Sequence, residues 1–238
     1  MKRFFAVISS LLLCCSFLFT TASATFVNGG YTTATVYGHT YKYNSSIGKD
    51  DSTGEVYGVT NITSDESFPA GYGGVSARLY TSEGVLSKSS SWFYNGSEVR
   101  GMGSGALFAP SSGTYYSRGQ VRFYNGDGYT TYSTKASPNL TQYNSSSLAA
   151  SHLQTNQNGL TYGSALFSET EPDLILVEGI SGNIGYVKSS DLNGPMPVSV
   201  YDAIQMQTSQ SRLIPVYESN GITVIDTFVI DATTPIYS

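Results

Sequence analysis

The sequence predicts a mainly β protein, with an antiparallel β-sandwich over residues 25–145 followed by a small acidic α+β module with one helix over residues 146–238. Three observations carry this. The chain has 19 Tyr and 25 Gly among 238 residues and only 12% charged residues, a composition suited to half-buried pleated surfaces and the turns between them. A strand-like segment occurs twice. The charge balance is neutral through the first half and acidic through the last third.

The stretch from Met1 to Ala24 reads as an export signal. Lys2 and Arg3 supply positive charge, residues 4–19 are mostly apolar, and Ala22-Ser23-Ala24 has the small-residue spacing of a cleavage site. The apolar run falls short of the roughly 20 residues that cross a bilayer as a helix, and no later run reaches that length. Cys14 and Cys15 both lie inside this segment, with Leu13 before them where a lipid-attachment site has a small residue. The chain expected after cleavage holds no cysteine. Its fold then rests on core packing without disulfides, and thiol nucleophiles and cysteine metal sites are excluded. The expected location is extracellular.

Strands are expected at residues 31–37, 40–43 and 55–60, where β-branched and aromatic residues dominate. A turn-rich loop is expected over 47–54, and a connection over 61–74 broken at Phe68-Pro69-Ala70-Gly71. The repeated segment follows. Residues 75–84 and 119–128 share apolar-Arg-apolar-Tyr, then turn residues, an acid and a glycine. Val75, Ala77 and Leu79 alternate with Ser76, Arg78 and Tyr80, while Val121 and Phe123 alternate with Arg122 and Tyr124. That is the period of a strand with one buried face. Between the copies, Trp92-Phe93-Tyr94 runs into Asn95-Gly96, a tight-hairpin signal. The alternating glycines at 101, 103 and 105 suggest a bulge or bend. Residues 107–113 lead into a further strand at 114–117. Six to nine short strands with frequent turns fit a sandwich or barrel.

Residues 137–158 read as a linker, rich in Ser, Asn and Gln, with a short helical turn at 148–153 and the domain boundary at 145/146. Beyond it, strands are expected at 160–167, 174–177 and 184–188. Residues 199–208 form the expected helix, with Ser199 as N-cap. Residues 212–218 and 222–230 form a hairpin around Asn220-Gly221, in which Pro215 marks an edge strand.

Residues 158–164 (Asn-Gly-Leu-Thr-Tyr-Gly-Ser), Glu171-Pro172-Asp173-Leu174-Ile175, Gly185-Tyr186-Val187, Ser190-Asp191-Leu192 and the 214–225 hairpin resemble a module near the C-terminus of secreted proteins of Gram-positive, clostridia-like bacteria. The resemblance covers the chain from Asn158 onward. It implies origin and location, and no catalytic residue comes with it.

From 25 to 168 the chain has eight acids and eight bases. From 169 onward nine acids face only Lys188 and Arg212, a net charge of minus seven. Such a segment repels nucleic acid and anionic lipid, so neither is an expected partner. The sequence also shows no phosphate loop.

Chemistry has few candidates. His39 and His152 stand far apart with no Gly-x-Ser-x-Gly elbow, so no Ser-His-Asp triad is expected. Two distant histidines give no zinc signature. Residues 50–55 and 125–128 carry oxygen ligands without EF-hand spacing and read as turns. No metal or cofactor is expected. Glu55, Asp65, Glu66, Glu83, Glu98 and Asp127 are the carboxylates available to a glycosidase, which needs two at a set separation. The candidate binding residues are Trp92, Tyr94, Tyr80 and Tyr124, with Arg78 and Arg122 on the same face of their strands, an aromatic and cationic surface for a cell-surface glycan or protein. The leading expectation is a secreted, non-enzymatic interaction protein. The alternatives are a secreted polysaccharide hydrolase using paired carboxylates and a bacteriocin-like factor.

Overall fold

A computed structural model describes residues 24–50, 55–104, 107–109, 113–139, 153–207, 210–233 and 235–237. Residues 1–23 of the expected export signal and the 145/146 boundary lie outside the described residues. In chain order the strands are β1 (Ala24–Asn28), β2 (Thr32–Val36), β3 (His39–Asp50), β4 (Val56–Phe68), β5 (Gly73–Ser76), β6 (Arg78–Thr81), β7 (Leu86–Ser90), β8 (Phe93–Tyr94), β9 (Val99–Gly103), β10 (Leu107–Ala109), β11 (Tyr115–Ser117), β12 (Gln120–Tyr124) and β13 (Tyr129–Ser133). The remainder are β14 (Gln154–Thr155), β15 (Thr161–Gly163), β16 (Leu174–Glu178), β17 (Ile184–Lys188), the helices α1 (Ser189–Asn193) and α2 (Val200–Gln205), then β18 (Arg212–Tyr217), β19 (Val224–Asp231) and β20 (Ile236–Tyr237). The protein is mainly β, as expected.

Three sheets organise these strands. A seven-stranded sheet is built on the order β1-β3-β4-β9-β20, with β2 and β10 added beside β3 and β4. A four-stranded sheet has the order β13-β12-β5-β8. The two share one aromatic core. Val36, Tyr41, Tyr43, Ile62, Phe68 and Met102 from the first meet Val75, Phe93, Val121 and Phe123 from the second. Tyr41 stacks on Phe123 at 4.0 Å and sets its edge against Phe68 at 5.3 Å. Such pairs add about 0.5–1.5 kcal/mol each beyond the area they bury.

The third sheet, β11-β6-β7-β19-β18-β17-β16-β15-β14, closes on itself because β7 also pairs with β16. The path β7-β19-β18-β17-β16 is therefore a five-stranded barrel. Its interior is filled by Leu86, Ile175, Val177, Val187, Ile214, Val216, Phe228 and Ile230. Alternation along each strand supplies these residues, since inward positions recur every second residue. One of the five strands, β7, precedes residue 145 and the other four follow it, so strands from both halves of the sequence pair in one sheet.

Several local expectations change. The connection expected over 61–74 is strand to Phe68, because β4 pairs with β3 through residues 56–63 and with β9 at residues 61–63 and again at Phe68. The polar run Asn44-Ser45-Ser46 continues β3 inside the protein, where Ser45 Oγ meets Thr134 Oγ1 at 2.7 Å and accepts the Gly119 N–H at 2.9 Å. Asn95-Gly96 does not close a two-stranded hairpin: β8 pairs with β5, and β9 pairs with β4 and β20. Asn95 is buried instead, its amide donating to Pro69 O and Ser97 O and accepting from Gly73 N. Asn220-Gly221 does close its hairpin, with Gly221 at φ +70°. The strand carrying Pro215 lies between two others rather than at an edge. Its ladder to β17 is confined to Tyr186↔Tyr217, so the missing N–H costs little. The helix expected at 199–208 forms over Val200–Gln205, and the Ser199 hydroxyl accepts from the Asp202 N–H. A second short helix, α1, stands where none is expected.

Candidate functional site

The two repeat copies part company in space. β6 carries Arg78 into the nine-stranded sheet, and β12 carries Arg122 into the four-stranded one. Their turn glycines stay equivalent, with Gly84 at φ +80° and Gly128 at φ +116°, a region open to glycine and costly for most other residues. The expected single buried face is a correction. Arg78, Tyr80 and Arg122 are as buried as the apolar residues they alternate with, because residues 165–193 cover Arg78 and Tyr80 while Trp92, Tyr94 and Asn193 cover Arg122.

That covering makes a knot of polar groups. Arg78 Nη1 donates to Glu171 Oε2 at 2.7 Å, and its Nη2 donates to Gln120 Oε1 and Asn193 Oδ1. Gln120 and Asn193 each donate to a Glu171 oxygen as well. Burial disfavours the Arg78 cation, but Glu171 and Tyr80 outweigh this and hold its pKa above the ordinary value. Arg118 clamps the same covering segment, donating to Ala165 O, Leu166 O and Ser168 O.

Arg122 has a different environment. Its guanidinium carbon lies 3.8 Å from the centre of the Trp92 ring, a contact that attracts a cation. Nη1 donates to the Tyr94 hydroxyl at 2.9 Å, and Nη2 has a long contact to Asn193 O at 3.5 Å. Nε is buried without a partner. Trp92, Tyr94 and Arg122 line a cavity of about 200 Å³ with Ser91, Asn193, Gly194, Pro195, Met206 and Arg212. The Ser91 hydroxyl is also buried and unpartnered. Arg212 donates to Leu192 O at 2.8 Å, and burial lowers its pKa, opposed by Asp191. Helix α2 braces this corner through Ala203, which packs with Tyr94 and Tyr129.

Three of the six expected residues, Trp92, Tyr94 and Arg122, thus meet at one pocket. Arg78 and Tyr80 are withdrawn into the core, so they present no surface. Tyr124 is half-buried in an aromatic cluster with Tyr37, Tyr72 and Tyr129. Sequence reasoning missed Ser91, Asn193 and Arg212. Arg212 did carry a signal, as one of two bases in a strongly acidic segment.

A larger hollow of about 810 Å³ opens on the other side of the knot. Gln120, Thr131, Ser133, Thr134, Ser168 and Glu171 are among its lining, so the groove is rich in hydroxyls, with the single side-chain amide of Gln120. Glu169 and Glu171 are the acids here. The carboxylates singled out from sequence, Glu55, Asp65, Glu66, Glu83, Glu98 and Asp127, are all exposed and line neither hollow. Among the described residues no three His, Asp or Glu converge as a metal site, and no helix is long and apolar enough to cross a membrane. No family model, curated protein or solved structure matches this chain.

Proposed function

We propose that the chain is a secreted, non-enzymatic bacterial protein that binds a cell-surface glycan through the Trp92–Tyr94–Arg122 pocket and the polar groove beside it. The observation that carries this reading is the meeting of an aromatic pair and a buried cation at an open concavity, with no acid among its lining residues. Ligand sites combine apolar walls with a few polar groups in this way. The signal-like stretch ending at Ala24 and the Gram-positive resemblance from Asn158 onward support export to a cell exterior. The aromatic core shared by the four- and seven-stranded sheets supports reading those two sheets as a sandwich, while β6, β7 and β11 belong to the third sheet.

The test is retention of the chain from residue 25 onward on isolated Gram-positive cell walls, with released sugars assayed in the same tubes. Retention without sugar release, reduced about tenfold in Trp92→Ala, is the expected result. Equal retention of wild type and variant removes the pocket from the reading. A second reading, polysaccharide hydrolysis, draws on Glu169 and Glu171 in the larger groove. It predicts sugar release that Glu169→Gln abolishes.

A further inference from the structure

We infer that the Arg122 pocket is an anion site that takes the carboxylate of a uronic acid unit, an inference that rests on the glycan-binding reading above. Three observations converge. Arg122 is only 3% exposed, yet among the described residues it forms no ion pair. A buried guanidinium is costly without a compensating anion. Arg212 adds a second guanidinium, and no Asp or Glu lines the cavity. The acid that bears on the charge of Arg212, Asp191, lies outside that lining.

Shape narrows the anion. The cavity of about 200 Å³ is smaller than the roughly 300–1,000 Å³ of sites for drug-sized ligands, so it holds one ring of a longer chain. Trp92, Tyr94, Pro195 and Met206 give it apolar walls, which suit the carbon faces of a sugar and a singly charged carboxylate better than a heavily hydrated phosphate. A planar guanidinium matches a carboxylate with paired hydrogen bonds. Asn193 links the pocket to Glu171 at the edge of the larger groove. Neutral neighbouring sugars would lie along the hydroxyls and the Gln120 amide there.

The experiment titrates the chain from residue 25 onward with sodium glucuronate, glucose, inorganic phosphate, and a dipeptide with a free C-terminus, by calorimetry and chemical-shift mapping. The expected result is glucuronate binding at least tenfold tighter than glucose, weakened by salt as charge-assisted contacts are, and reduced about tenfold in Arg122→Gln. If Arg122→Gln fails to fold, Arg212→Gln and the salt dependence of the wild type provide the same readout. Equal binding of glucose and glucuronate overturns the anion site while leaving glycan binding in place. Tighter binding of phosphate or of the dipeptide overturns the uronic acid assignment. Glucuronate that fails to bind a chain retained on cell walls through Trp92 overturns this inference alone. Failure on both counts removes both readings.

Discussion

Arg78 and Arg122 occupy the same position in two copies of one short motif, both are buried, and their surroundings differ in one respect that matters. Arg78 has Glu171 at 2.7 Å and two amides around it. Arg122 has an indole, a phenol and a cavity. A repeated strand pattern sets where a side chain emerges and leaves open what meets it. The first copy is answered by Glu171, and the second borders a cavity whose lining holds no acid. Asn193 stands between them, its side chain in the Arg78 knot and its carbonyl near Arg122.

The largest effect that tests this contrast is the loss of Glu171. Glu171→Gln leaves the Arg78 cation buried without its counter-charge, and breaking a buried pair from one side costs about 3–5 kcal/mol. Urea unfolding should show a loss of that size. Arg122→Met should cost no more than about 1 kcal/mol, because a buried cation without an internal anion is replaced by an apolar side chain of similar length. Comparable losses in the two variants would make Arg122 a structural residue like its counterpart.

The next effect concerns how the two regions are joined. Strand β7 lies early in the sequence yet closes the barrel formed otherwise by late strands, and Leu86 is fully buried inside it. Leu86→Ala should cost about 2–5 kcal/mol, the range for a leucine lost from a packed core. It should also reduce the chemical-shift dispersion of β16 and β19, which flank β7. Residues 146–238 made alone lack that strand and should show no cooperative unfolding transition. A sharp transition would mean that the late strands close their core without β7.

What was legible in the sequence follows from these same facts. The strands expected at 212–218 and 222–230, the Asn220-Gly221 turn and the Ser199 cap are local signals, and the structure contains the turn, the cap and strands at Arg212–Tyr217 and Val224–Asp231. The covering of Arg78 and Tyr80 was not legible, because the residues that cover them lie far along the chain and alternation reports only that two faces differ. Asn95-Gly96 misled for a related reason. Its turn chemistry is real, but Phe93 and Tyr94 find β5 as partner, and Asn95 spends its amide on Pro69, Ser97 and Gly73. Trp92, Tyr94 and Arg122 were found by residue type. Ser91 and Asn193 carry no pattern that marks them before the fold brings them together.

A smaller effect bears on why the acids from Glu169 onward leave Arg122 unmet. Several are committed to nearby backbone. Asp173 accepts from the Thr161 N–H and hydroxyl, both at 2.8 Å, and these bonds hold its pKa below the ordinary value. Asp226 accepts from Thr227, Ser181 and Asn183 and is lowered likewise. A lowered folded-state pKa means stability that is present above the unfolded value, near 4, and lost as pH falls through the folded one. Urea midpoints measured from pH 6 down to pH 2 should therefore fall, with a shallower fall in Asp173→Asn. An unchanged slope would mean that Asp173 is not held by Thr161 in solution.

The smallest effect comes from the one other ion pair resolved among the described residues. Lys42 Nζ lies 3.0 Å from Asp65 Oδ1, and the two side chains are 46% and 83% exposed. The Arg78–Glu171 contact, at 2.7 Å, is only slightly shorter, yet its side chains are 3% and 17% exposed. Distance is therefore nearly held constant between the pairs while solvent access differs. Water and salt screen the exposed pair, and ordering two flexible side chains offsets much of what attraction remains. Lys42→Ala should change stability by no more than about 0.5 kcal/mol, and added salt should erase the difference. The Glu171→Gln loss should persist at the same salt concentration, because the charge it leaves unpaired is out of reach of the ions. A salt-sensitive Glu171→Gln loss would place Arg78 in contact with solvent, and the contrast between the two arginines would then have to rest on their neighbours alone.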